Sequence, residues 1–98
     1  MTKEIGLVAV LKAIPGKEAA LEAVIRPCVE ASRKDEGCLY YTAHRDLNEP
    51  GRYVFVERWA SKEPLAAHEQ QPHFKALVAG VAGKIDGPLS VSLLSSLD

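Results

Sequence analysis

Two β-rich runs, residues 38–47 and 52–60, flank Asn48-Glu49-Pro50-Gly51, a cluster of turn formers of hairpin length, and this is the strongest constraint on the fold. Side chains alternate between the faces of a strand. Period two therefore puts Tyr53, Phe55, Glu57 and Trp59 on one face of the second run, and Tyr40, Thr42 and His44 on one face of the first. Residues 4–13 are short, aliphatic and β-branched and stop at Pro15-Gly16, and residues 88–97 carry Leu89, Val91, Leu93 and Leu94; both read as further strands.

Helical spacing occupies the remainder. Leu21, Val24, Ile25 and Cys28 form an i, i+3, i+4, i+7 stripe within residues 17–35, closed by Gly37. Pro27 interrupts that stripe, removing a backbone donor at a cost of about 3 kcal/mol, so a kink is expected there. Ser61 is a suitable N-cap for a short helix bearing Leu65 and His68, and Pro72 restarts a second helical piece to about residue 82 with Phe74, Leu77, Val78 and Val81 at helical spacing.

The order strand, helix, strand, strand, helix, strand is that of a ferredoxin-like α+β sandwich with a four-stranded antiparallel sheet. A chain of 98 residues suits one such domain. Two helices cover only one face of the sheet, yet Val8, Val10, Val54 and Val56 make the other face apolar on the two central strands. A second copy of the chain is the expected cover, which predicts a homodimer.

Composition narrows the function. Twelve Lys and Arg against thirteen Asp and Glu leave a net charge of −1, which gives no field to gather nucleic acid or an anionic membrane. Arg52-Tyr53-Val54-Phe55 departs from the motif an RNA-recognition domain of this topology would carry. His44-Arg45-Asp46-Leu47 spells the start of a kinase catalytic loop, but Gly51 stands where a metal-binding Asn is required and no phosphate-binding loop is present. No apolar run has the roughly 20 residues of a membrane-spanning helix, and the polar first residues lack a secretion signal's apolar stretch, so a cytoplasmic location is expected. Cys28 and Cys38 form no C-x-x-C pair and the His and Cys spacings match no zinc motif, so free thiols and no metal are expected.

Glu57 and His68 come from a central strand and the helix after it, elements that pack against each other in this architecture, with Trp59 two residues beyond Glu57. Meeting in a pocket, the carboxylate would fix the imidazole's tautomer while the other ring nitrogen exchanges a proton with an acidic substrate. A buried hydrogen bond satisfying two polar groups is the alternative. His73, in the first turn of the restarted helix, carries little functional weight.

Ile14-Pro15-Gly16-Lys17, Glu36-Gly37-Cys38-Leu39-Tyr40-Tyr41, Arg45-Asp46-Leu47, Tyr53-Val54-Phe55-Val56-Glu57-Arg58-Trp59, Ala67-His68 and Pro72-His73-Phe74 together resemble the antibiotic biosynthesis monooxygenase domain, in order over nearly the whole chain. The resemblance implies a dimeric α+β barrel and oxidation of a quinol or polycyclic phenol by molecular oxygen without metal, flavin or other cofactor. It implies His68 as base, Glu57 as its orienting partner, Trp59 and Phe74 as walls, and His44 or Tyr40 as a contact to a substrate oxygen.

Other branches of the family remain open by the same resemblance. Haem-degrading relatives have an axial His where Val78 stands and a distal Trp where His68 stands, so haem is not expected. Isomerases of small phosphorylated diketones share Glu57, His68 and Pro72-His73, and a non-enzymatic dimeric binding or stress-response module is the third possibility.

Overall fold

The structure, a computed structural model, describes residues 3–98. Its elements are β1 (Ile5–Lys12), α1 (Glu18–Ser32), β2 (Cys38–Arg45), β3 (Arg52–Trp59), α2 (Lys62–His68), α3 (Pro72–Val81) and β4 (Ser90–Leu94). The four strands form one antiparallel sheet in the order β2-β3-β1-β4, so β1 and β3 are central. This is the ferredoxin-like α+β arrangement that the order of periodicities predicts. Pro27 lies on the exposed side of α1, and the helix runs through it unbroken.

Register decides which side chains meet the helices. Leu7 pairs with Glu57, Ala9 with Phe55 and Leu11 with Tyr53, while Tyr41 pairs with Glu57 and Ala43 with Phe55. Directly opposed residues share a face, so these side chains form one surface beneath α1, α2 and α3. Leu21, Ile25, Cys28, Leu65 and Val81 close over it from the helices, and Phe55 and Trp59 are the largest buried side chains in that core.

The other face is formed by Val8 and Val10 of β1, Val54 and Val56 of β3, and Tyr40, Thr42 and His44 of β2. No helix of this chain covers it, and the four valines are only half-buried. On β4, Ser90 and Ser92 oppose Val10 and Val8 on this face, whereas Val91, 52% exposed, and Leu93, 63% exposed, oppose Ala9 and Leu7 on the helix side. No helix among the described residues is long and apolar enough to cross a membrane. Cys28 and Cys38 are both free thiols.

Candidate active site

The site is assembled at the end of the sheet where β3 finishes and α2 begins. Glu57 and Trp59 are on the same face of β3, and the indole Nε1–H of Trp59 donates to Glu57 Oε1 across 2.9 Å. Glu57 is only 5% exposed. Burial raises its pKa from 4.5 to about 7, the Trp59 hydrogen bond acting in the opposite sense and the charge of Glu69 adding to the rise. The carboxyl group is therefore divided between its two protonation states near neutral pH.

His68, the last residue of α2, is buried against the same surface. Its ring lies 4.6 Å from that of Trp59, 5.2 Å from Phe74 in an edge contact and 5.5 Å from Tyr41. Nδ1 of His68 is 2.7 Å from Asp35 Oδ2, and His73 Nε2 is 2.8 Å from the same oxygen. An ionised carboxylate only accepts, so this contact fixes the hydrogen of neutral His68 on Nδ1 and leaves the lone pair on Nε2.

Asp35 is in the turn between α1 and β2. The turn is held by Asp35 N–H donating to Ser32 O, Cys38 N–H to Asp35 O, and Ala60 N–H to Gly37 O. Gly37 has φ +79°, and a Cβ there would overlap the Pro64 ring of α2. The absent side chain lets the Asp35 turn approach α2 closely enough for Asp35 to reach His68.

Glu57, Glu69, His68, Tyr41, Phe55 and Phe74 line one cavity of about 110 Å³, completed by aliphatic side chains that include Leu7, Leu77, Val78, Leu89 and Val91. A larger cleft of about 440 Å³, between α1 and the edge of β2, is lined by Glu22, Arg26, Glu30, Arg33 and Arg45 and touches neither Glu57 nor His68. Glu22 is engaged there by two arginines: Arg45 donates to it from Nε and Nη2, at 2.7 and 2.6 Å, and Arg26 from Nη2 at 3.2 Å.

The sequence-predicted residues divide accordingly. Glu57, His68 and Phe74 line one cavity. Trp59 is fully buried behind Glu57 and His68, supporting both without lining the space. Glu57 does not orient His68, because its hydrogen bond runs to Trp59 while Asp35 holds the imidazole. Tyr40 and His44 are corrections: they oppose Arg58 and Val54 on the far face of the sheet, and Tyr41 occupies the inward position instead. Asp35 and Tyr41 are functional candidates that sequence periodicity missed, and His73, given little functional weight from its place at the start of a helix, shares the Asp35 carboxylate with His68. Burial first, and then the nearby Glu57 and Cys28, raises the Tyr41 pKa, so its hydroxyl stays protonated.

A ferredoxin-like sheet whose helix-covered face holds a buried acid and an imidazole in a small apolar cavity defines a class of compact α+β domain. The family model described as antibiotic biosynthesis monooxygenase matches residues 4–80, and the chain belongs to that family. It is similar to Rv0793 of Mycobacterium tuberculosis, provisionally named a monooxygenase, at 28% identity over all of this chain and 96% of that protein. The solved structure of Rv0793 aligns with a TM-score of 0.91 over 97% of this chain and 96% of the other. Structures from Pseudomonas aeruginosa (28% identity, TM-score 0.92, 100% and 98% covered) and Caulobacter crescentus (31%, 0.92, 99% and 92%) are equally similar in fold.

Proposed function

We propose that this protein is a cytoplasmic, homodimeric monooxygenase that oxidises an electron-rich phenol or quinol with molecular oxygen, using no cofactor. The observation that carries the reading is the shared apolar cavity, into which a near-neutral carboxyl group and an imidazole held by a carboxylate both open. Such a ring, once deprotonated, reduces oxygen itself. The protein then has to remove protons, hold the ring and exclude water.

In this reading His68 Nε2 takes the hydroxyl proton and Asp35 stabilises the imidazolium. The anionic ring passes an electron to oxygen, and the radical pair recombines at a ring carbon that bears hydrogen. His68 returns its proton to give a hydroperoxide. Neutral His68 then removes the hydrogen from that carbon while protonated Glu57 gives a proton to the departing hydroxide. One oxygen atom remains as a ring carbonyl and the other leaves as water, so no external reductant is needed.

The cavity wall favours this chemistry over isomerisation of a phosphorylated diketone. No Lys or Arg is among its lining residues, so a phosphoryl group entering it would lose its hydration without a cation in exchange. Pairing of two chains is supported by the uncovered valine face and by the exposed apolar side chains of β4 beside the cavity mouth. Oxygen uptake by the purified protein with menadiol and with one-ring hydroquinones tests the reading. Turnover above the uncatalysed rate that falls about 10²- to 10⁴-fold in His68→Gln is expected. Equal rates in both proteins contradict it.

A further inference from the structure

Asp35, His68 and His73 bring three ligand atoms from three separate elements to within 4.8 Å of one another. These are a carboxylate oxygen from the α1–β2 turn, Nδ1 from the end of α2 and Nε2 from the first turn of α3. The side chains are 9%, 2% and 20% exposed, so the cluster is sheltered and reachable past His73. We propose that this cluster binds one divalent first-row transition ion, with Zn²⁺ as its representative, and that the ion moves the His68 proton from Nδ1 to Nε2.

Two imidazoles and a carboxylate are the donor set such ions prefer, and a fourth position would be left to water. Two ligand atoms each about 2.1 Å from a tetrahedral ion stand about 3.4 Å apart. The present separations of 2.7 and 2.8 Å from Asp35 therefore need to open by about 0.6–0.7 Å, and the two imidazole nitrogens, within 4.8 Å of each other, to settle at the same spacing. Asp35 is in a turn and His73 begins a helix, so side-chain rotation supplies that movement without disturbing the sheet.

Coordination also has a chemical consequence. Nδ1 of His68 must present its lone pair to the ion, so the hydrogen of the neutral ring is carried on Nε2, and His73 likewise shifts its hydrogen to Nδ1. If His68 is the base of the proposed function, its accepting atom is thereby blocked, and the ion acts as an inhibitor that monitors free metal. Binding and the tautomer change do not depend on that reading.

Calorimetric titration of the purified chain with ZnCl₂, together with ¹⁵N NMR of the imidazoles, tests the proposal. One ion per chain is expected, with affinity at least tenfold weaker in Asp35→Asn and in His73→Gln but retained in His44→Gln. Saturation should move the His68 Nε2 resonance from the unprotonated to the protonated region. Absence of saturable uptake, uptake unchanged in Asp35→Asn and His73→Gln, or an Nε2 resonance that does not move would overturn it. These readings stand whether or not the chain oxidises a quinol, and loss of menadiol turnover with Zn²⁺ that EDTA restores would join the two.

Discussion

Asp35 Oδ2 stands 2.7 Å from Nδ1 of His68, so a residue of the α1–β2 turn sets the tautomer of an imidazole thirty-three positions away. Replacing Asp35 by Asn removes the negative charge that stabilises imidazolium and allows the amide to donate to Nδ1, leaving the hydrogen on Nε2. Asp35→Asn should lower kcat for a quinol at least tenfold with a much smaller change in KM. Steady-state kinetics separate this from a structural role, which would appear as a lower melting temperature at unchanged kcat.

Glu57 makes stability depend on pH in a defined window. Its folded pKa of about 7 is above the ordinary 4.5, so the folded state keeps a proton that the unfolded chain has released between those values. Stability from this group is complete below about pH 4.5 and declines up to about pH 7, by about 3 kcal/mol at 1.36 kcal/mol per pKa unit. Glu57→Gln retains an oxygen for the Trp59 indole and does not titrate. Denaturant unfolding between pH 5 and 8 should show this slope in the wild type and a flatter one in the variant. Parallel slopes would contradict the assignment.

Gly37 should tolerate no side chain. Alanine there meets a left-handed backbone and the Pro64 ring together, so Gly37→Ala should cost at least about 1–3 kcal/mol and displace the Asp35 turn from His68. Chemical denaturation gives the first quantity. Activity that falls by more than the loss of folded protein gives the second.

Much of this was legible in the sequence, and the misses share a cause. Turn formers at 48–51, the Pro72 restart and the alternation from Tyr53 to Trp59 fixed the element order, because local periodicity and local turn chemistry determine them. Which face of β2 looks inward is not local. It depends on register, and opposition of Tyr41 to Glu57 selects Tyr41 over its neighbour Tyr40 and sends His44 outward. Asp35 had no periodic signal because it belongs to a turn, and its role arises only where that turn packs against α2 and α3. The pairing of Glu57 with Trp59 rather than His68 likewise follows from side-chain direction along one strand face.

The uncovered face of the sheet predicts the oligomer. Val56 is near the middle of that face, opposite Val8 and Thr42. Sedimentation of the wild type should give a particle of two 10.6 kDa chains, and Val56→Asp should shift it toward one chain without loss of secondary structure. A monomeric wild type would remove the homodimer from the proposal.

Transfer of oxygen into an aromatic ring through His68 is the step on which the proposed function rests. Its most direct test is single-turnover oxidation of a quinol under ¹⁸O₂ with mass spectrometry of the product. One ¹⁸O atom per ring and one in water, formed by the wild type and not by His68→Gln, is the predicted result. A product free of ¹⁸O, or labelled equally with either protein, would contradict it.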